Sequence, residues 1–135
     1  MKIKRHKHTR RVLKFYKSNF NFDTKVYNIL VDGTFANEAL KSKVNLIEQM
    51  PKFFEVPTNN CKLLTTKCAL HEVELLGKVT YGSLLILKQY ELVECKHKRK
   101  FVSTEKCFKN LIIDSNERES NTKYFVATQV CLFRN

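Results

Sequence analysis

Four side chains in this sequence are of the types that bind transition metals: Cys68, Cys95, His97 and Cys107. Cys95 and His97 are two residues apart, so both can face one ion, whereas Cys107 lies ten residues after His97 and Cys68 lies 27 residues before Cys95. Three thiolates and one imidazole suit tetrahedral Zn²⁺. The spacing differs from that of a C-x-x-C knuckle. The alternative to a metal site is that the cysteines are buried core thiols and the histidine is exposed.

The residues around Cys95 and His97 favour the metal. Residues 95–103, the basic loop, contain four cations that cannot form an apolar core: Lys96, Lys98, Arg99 and Lys100. A bound ion would explain how so basic a segment is held in place. His71 is interpreted as a partly exposed helix residue, and Cys61 and Cys131 as buried thiols. Five cysteines, with no secretory signal at the N-terminus, favour reduced thiols over a disulfide framework.

Two acidic residues are candidates for a different site. Asp32 follows the first predicted strand, and Glu72 lies on the helix after the second. In a parallel sheet the two carboxylates could converge, and paired carboxylates hold Mg²⁺ or Mn²⁺ for phosphodiester hydrolysis. Two carboxylates are fewer than the three or four that such nucleases normally present. The structural alternative is that Asp32 caps the next helix and Glu72 pairs with a lysine.

The charge distribution indicates a polyanionic partner. The 135 residues carry 25 Lys plus Arg against 13 Asp plus Glu, a net charge of +12. The first 17 residues have no acid and eight cations: Lys2, Lys4, Arg5, Lys7, Arg10, Arg11, Lys14 and Lys17. These eight and the four cations of the basic loop are the candidate nucleic-acid-binding residues. The alternative is a solvated tail. Nearby Phe15, Tyr16 and Phe20 either stack on bases or pack on the body.

The predicted elements alternate between short buried strands and helices. Length and composition fit one domain, and no apolar run approaches the ~20 residues of a membrane span. Strands are predicted at residues 27–31, 61–65, 92–93 and 124–128, and helices at 35–43, 45–54, 67–76, 81–90 and 104–113. Residues 114–122 are predicted to be polar and mobile. The alternation predicts a parallel sheet in an α/β sandwich, with chemistry at the carboxyl ends of the strands.

Several blocks of sequence recur in order in one family of proteins. They are KIKRHKH (2–8), FYKSNF (15–20), ILVDGTF (29–35), TTKC (65–68), EVELLGK (72–78), YG (81–82), CKH (95–97), Cys107 and YFVATQ (124–129). Together they resemble the PIN-domain rRNA-processing proteins of the small-subunit processome, the U-three small nucleolar RNA-associated protein twenty-three family. The resemblance covers essentially the whole chain.

The resemblance implies a fold and a function. The fold is a PIN-like Rossmann-type sandwich, with residues 1–24 as a basic N-terminal arm and residues 25–135 as the domain. A Cys-Cys-His-Cys zinc finger is embedded in it, with Cys68, Cys95, His97 and Cys107 as ligands. The implied role is early pre-rRNA processing in the nucleolus. The implied partners are pre-rRNA, an H/ACA small nucleolar RNA and other processome proteins, without a membrane or a small-molecule substrate.

The family's acidic site is degenerate in this chain. Asp32 and Glu72 match its first two positions, but Lys106 stands at the third, with Glu105 displaced by one, and Val130 at the fourth. We therefore expect a non-catalytic RNA-binding factor. The alternative is a metal-dependent endoribonuclease that recruits Glu105 or Asp114 as a third ligand. Relatives continue beyond Asn135 into a further strand and a basic tail, and this domain is expected to lack both. Either the domain is minimal or a partner completes its sheet edge.

Overall fold

The computed structural model describes residues 2–20, 25–118 and 122–130, with side chains from Lys7 onward. Its centre is a sheet of four parallel strands: β1 (Tyr27–Val31), β2 (Cys61–Thr65), β3 (Glu91–Leu92) and β4 (Tyr124–Ala127). The strand order is β3-β2-β1-β4, so β1 and β2 are central. The predicted parallel sheet is confirmed, and the predicted first two strands have the observed bounds.

The described ranges contain six helices, which lie before, between and around these strands. They are α1 (Lys2–Asn19), α2 (Gly33–Lys41), α3 (Leu46–Phe54), α4 (Lys67–Leu75), α5 (Tyr81–Leu87) and α6 (Thr104–Glu117). Two single 3₁₀ turns, Thr58–Asn60 and Gly77–Thr80, lie between them. Gly77 has a φ of +74°, a conformation that suits glycine, and it ends α4 where the sequence predicted.

The core lies on both faces of β1, because successive strand residues point to opposite sides. Ile29 and Val31 belong to a buried cluster that α2, α3 and α5 complete. Leu30 belongs to a second cluster, with Leu64 of β2 and Phe108 of α6. Helices therefore cover both faces of the sheet, which is the predicted α/β sandwich.

One segment differs from its prediction, and the basic arm has a conformation that the sequence left open. Residues 114–117, predicted to be mobile, continue α6 as far as Glu117, where Asp114 pairs with Lys96 and Ser115 Oγ donates to the Ile112 carbonyl. The basic arm is a helix over most of its length. Residues 21–24 of the arm, residues 119–121 of the polar segment, Cys131 and the expected sheet edge near Asn135 lie outside the described residues. None of the helices described is long and apolar enough to cross a membrane.

Candidate functional site

Three separate elements bring the four candidate metal ligands together. Cys68 lies in the first turn of α4, Cys95 and His97 lie on the basic loop after β3, and Cys107 lies in the first turn of α6. Their ligand atoms all lie within 4.8 Å of one another. Within the described ranges this thiol–imidazole cluster is the one group of three or more Cys, His, Asp or Glu side chains placed to hold a single ion.

The spacing of the sulfur atoms suits a tetrahedral metal. The Sγ atoms of Cys68 and Cys95 are 3.8 Å apart. Two sulfurs that each lie ~2.3 Å from a tetrahedral ion are about 3.8 Å from each other. A disulfide would require a separation of about 2.05 Å, and both cysteines are free. The cluster could therefore bind a metal ion through its thiols without rearrangement of this pair.

One nitrogen of the His97 imidazole is placed to bind a metal ion. Its Nδ1 is buried and has no hydrogen-bond partner among the described residues, whereas its Nε2 lies 3.1 Å from the side-chain amide of Asn110. A histidine that binds a metal through one nitrogen usually donates its other N–H to a fixed acceptor. If Nδ1 held an ion, Nε2 would carry the proton and could donate it to the oxygen of the Asn110 amide, since the oxygen and nitrogen of an amide exchange on a flip.

The thiols differ in how readily they lose their protons. Burial raises the pKa of Cys107 to about 12 and also raises the pKa of Cys68. Burial acts in the same direction on Cys95, but hydrogen bonds from the His97 backbone and from the other two thiols lower its pKa overall. Cys107 Sγ also contacts Thr66 Oγ1, at 3.5 Å. Because metal ligands must be thiolates, metal binding here would release protons.

The basic loop is attached to the body beyond the cluster itself. The ring of Phe101 stacks on the ring of His71 of α4, with centroids 4.3 Å apart. Lys96 Nζ lies 2.9 Å from Asp114 of α6. These contacts leave the other three cations of the loop exposed to solvent: Lys98, Arg99 and Lys100. His71 is half-buried on α4, as predicted, and Cys61 is half-buried outside the cluster.

Asp32 is a buried helix cap. It is 3% exposed. Its Oδ1 accepts a hydrogen bond from the Phe35 backbone N–H and another from Thr34 Oγ1, each 2.8 Å long. Its Oδ2 accepts one from Thr128 Oγ1, just after β4. The capping role that the sequence left open is therefore present, and both carboxylate oxygens have donors.

Glu72 holds the start of α6. Its Oε2 accepts hydrogen bonds from the backbone N–H of Thr104, at 2.6 Å, and from the hydroxyl of the same residue. The sequence suggested a lysine as the partner of this carboxylate, and that suggestion was wrong, since Thr104 takes the place. A carboxylate at a helix N-terminus is stabilised by the unpaired N–H groups there.

Both acids line one cleft of about 270 Å³, together with Glu105 and Val130; we call it the acidic cleft. The close approach of α2 to α4 depends on Gly33, because a Cβ at that position would lie 2.3 Å from Val73 Cγ2. The lining includes Glu105, whose carboxylate lies 2.6 Å from Lys109 Nζ. Its neighbour Lys106 is exposed outside the lining.

One expectation about further cleft ligands needs correction. Of the two residues offered as a third ligand, Glu105 lines the cleft, while Lys106, which stands at the family's third acidic position, lies outside the lining. Asp114, offered as another third ligand, lines cavities beside the basic loop and pairs with Lys96. Val130 lines the cleft as the pattern indicated.

The basic arm lies against the body through one face of α1. Leu13 packs on the core, Arg10 Nη2 lies 2.6 Å from Glu55 Oε1, and Lys17 Nζ lies 5.3 Å from the Tyr27 ring centroid. Lys7, Arg11 and Lys14 are exposed. The side chains of Lys2, Lys4 and Arg5 lie outside the described residues, although the helix includes their backbone.

Sequence reasoning missed several residues that support these sites. Asn110 follows Cys107 by three residues, and this helical spacing was the available signal that both face the cluster. Thr104 and Thr128, which donate to Glu72 and Asp32, gave no signal, because their partners lie 32 and 96 residues away in the sequence. Thr66 caps α4, because its Oγ1 accepts a hydrogen bond from the Ala69 N–H at 3.2 Å.

A search of solved structures identifies the fold. The solved structure of the PIN domain endonuclease Utp24 superposes on 82% of this chain and 77% of its own, with a TM-score of 0.65 and 22% sequence identity. The chain therefore has the PIN fold that the sequence blocks implied.

Comparisons of sequence agree with this fold. The rRNA-processing protein FCF1 homologs of Bos taurus, Pongo abelii and Homo sapiens are each 32% identical to this chain over 84 residues. That match covers 58% of this chain and 41% of each relative, so the chain spans about two-fifths of the relatives' length. The resemblance to PIN-domain rRNA-processing proteins is confirmed at this level. Residues 55–135, more than half of the chain, match the model of one family, and the chain belongs to the Fcf1 family.

Proposed function

We propose that this protein is a non-catalytic RNA-binding factor of ribosome biogenesis that acts in early rRNA processing. The observation that carries this proposal is the arrangement of its charge. Exposed cations are presented by a helix and by the loop that holds two candidate metal ligands, whereas both matched acids of the PIN cleft serve as hydrogen-bond acceptors for neighbouring elements.

The RNA-binding part of the proposal rests on two exposed groups of cations. One is Lys7, Arg11 and Lys14 on α1, and the other is Lys98, Arg99 and Lys100 on the basic loop. Cations on a helix or on an attached loop favour phosphate binding, because less backbone freedom is lost on contact. The curated relatives are rRNA-processing proteins by description, so pre-rRNA and small nucleolar RNA are the proposed ligands. The proposed setting is the nucleolus, with small-subunit processome proteins as neighbours.

Zinc is the proposed ion of the thiol–imidazole cluster. Soft thiolates with one imidazole in a tetrahedral set select zinc over hard cations such as Mg²⁺. The ion would hold Cys95 and His97 of the basic loop against α4 and α6. Its proposed role is structural, since it fixes the loop whose cations face the RNA.

The absence of catalysis is proposed from the acidic cleft. Asp32 caps α2 and Glu72 binds Thr104, so each carboxylate already has a structural partner. Val130 contributes an isopropyl group where a nuclease would place a carboxylate. Such a lining has fewer free oxygens for a divalent ion than catalysis normally requires.

The test of RNA binding compares charge-matched variants of the full chain by fluorescence anisotropy with a pre-rRNA fragment. Lys98→Gln/Arg99→Gln/Lys100→Gln should weaken binding and reduce the log–log salt slope by about 2, at about 0.7 per single-strand phosphate contact. Lys52→Gln/Lys62→Gln/Lys88→Gln removes the same charge from exposed positions elsewhere and should have a much smaller effect. Equal losses in the two variants would contradict specific use of the basic loop.

The rival function is a metal-dependent endoribonuclease, and one observation favours it: Glu105 lines the cleft with Asp32 and Glu72. The structural neighbour is itself described as an endonuclease. Incubation of the RNA with Mn²⁺ or Mg²⁺ and the wild-type chain separates the two functions. We expect no metal-dependent cleavage. Cleavage that Glu105→Gln abolishes, with folding and RNA binding unchanged, would establish the rival.

A further inference from the structure

Three aromatic side chains of α1 and its end lie together at the protein surface. Phe15, Tyr16 and Phe20 are 57%, 46% and 52% exposed. The ring centroid of Tyr16 lies 5.7 Å from that of Phe15 and 5.6 Å from that of Phe20, and the Phe15 and Phe20 centroids are 6.3 Å apart. These rings form one apolar surface, which we call the aromatic patch.

The patch is exposed although the helix is in contact with the body. Arg10, Leu13 and Lys17, which contact the body, are spaced at i, i+3 and i+7 and therefore share one face. Phe15 and Tyr16 project from a different part of the helix circumference. The helix thus docks through one face and presents aromatic rings on another.

A stripe of cations runs along the same helix. Lys7, Arg11 and Lys14 are exposed and spaced at i, i+4 and i+7, so they share one solvent-facing side of the helix. No Asp or Glu occurs between residues 2 and 19. A partner that covers both the patch and the stripe must therefore combine negative charge with flat apolar surfaces.

We propose that α1 binds unpaired RNA, with the aromatic patch stacked on bases and the cationic stripe on the neighbouring phosphates. This inference rests on the proposed function and narrows its ligand to single strands. In an A-form duplex the faces of the bases are covered by their neighbours, whereas unpaired bases are free to stack on aromatic side chains. A protein ligand for the patch would have to be acidic around an apolar centre, and unpaired RNA meets both requirements along its whole length.

The first experiment uses fluorescence, since the chain has no tryptophan. Tyr16→Trp introduces a single reporter into the patch of the full chain. Oligouridine should quench its emission through stacking, whereas an abasic strand of the same length, which has phosphates but no bases, should leave the emission unchanged. Equal responses to the two strands would overturn the stacking.

The second experiment measures affinity. Phe15→Leu/Tyr16→Leu/Phe20→Leu keeps an apolar surface and good helix formers but removes the rings. Its affinity for oligouridine should fall about tenfold or more, while its affinity for the abasic strand and for an RNA duplex stays unchanged. Lys7→Gln/Arg11→Gln/Lys14→Gln should weaken binding of all three probes. Circular dichroism and thermal unfolding verify that both variants are folded.

The outcomes separate the inference from the function on which it rests. If the charge variant weakens binding and the aromatic variant binds oligouridine like wild type, the inference is overturned and the patch is a protein contact, while the proposed function stands. If the charge variants of both α1 and the basic loop bind RNA like wild type, the proposed function fails as well.

Discussion

The thiol–imidazole cluster and the acidic cleft are both groups of potential metal ligands, yet they differ in what their polar atoms already bind. In the cluster, His97 Nδ1 is buried and no described residue hydrogen-bonds to it, and the sulfurs of Cys68 and Cys95 lie 3.8 Å apart. In the cleft, Asp32 and Glu72 accept hydrogen bonds from helix N-termini and threonines. The residue types alone do not distinguish a metal site from a group of structural side chains. Ligand atoms that lie close together and have lone pairs without hydrogen-bond donors do distinguish it.

The largest expected effect is loss of the cluster's metal. Purified protein should contain close to one zinc per chain, and Cys95→Ser should contain almost none. Because metal binding contributes directly to folding, the free energy of unfolding should fall by several kcal/mol or more, on the order of the values for structural zinc sites. Elemental analysis and urea denaturation measure the two quantities.

Cys61→Ser is the matched control, since Cys61 is a half-buried thiol outside the cluster. It should keep its zinc and lose far less stability. If the wild-type protein folds without zinc, the cluster is not a structural zinc site, and its difference from the cleft as a metal site is lost.

Removal of the Asp32 carboxylate tests the cleft as a structural device. Asp32→Ala should lower the free energy of unfolding by about 2–3 kcal/mol, because α2 loses its cap and the Thr128 hydroxyl loses its acceptor. Asp32→Asn keeps a cap and should cost less. A cleft built to hold a cation would behave in the opposite way: its carboxylates repel each other without the ion, so Asp32→Asn would stabilise the apo protein.

Asn110 tests how the cluster orients its histidine. Asn110→Leu should weaken zinc binding by about 10- to 100-fold, since His97 Nε2 loses its partner. Asn110→Asp retains an acceptor oxygen and should bind zinc much more tightly than the leucine variant. Competition with a chromophoric chelator gives both affinities. Equal affinities for the two variants would mean that Asn110 does not orient the ring.

The smallest effect is expected at the ion pair of the basic loop. Lys96 is 64% exposed in its side chain, so Lys96→Gln should change the stability of the zinc-loaded protein by less than about 1 kcal/mol. A larger loss would show that the ion pair, rather than the cluster, holds the loop. Thermal unfolding at low and high salt makes the comparison.

Elements with strong local signals could be predicted from the sequence. β1 and β2 are short apolar runs followed by the helix caps Asp32 and Thr66. The sequence therefore indicates both the bounds of these strands and their parallel direction in the sheet. The four cluster residues could be grouped because thiols and imidazoles are few in the chain. Their mutual distances could not be predicted, since these depend on how α4 and α6 pack on the sheet.

Other features depend on how side chains are oriented around a helix, which the order of residues does not give directly. A shift of one residue on a helix rotates a side chain by about 100°, which is why Glu105 rather than Lys106 lines the cleft. The helix in the basic arm was not predicted, because the charge of this segment indicates the kind of partner and leaves the conformation open. Its contacts through Arg10 and Leu13 are with residues far along the chain.

The position of β1 in the sheet sets an order for folding during synthesis. β1 pairs on one side with β2, whose register begins at Cys61, and on the other with β4, which begins at Tyr124. All four cluster residues lie between these partners in the sequence. The four candidate ligands are therefore synthesised before β4, while one side of β1 is still unpaired. An ion bound by the cluster at that stage would hold α4, the basic loop and α6 together before β4 docks.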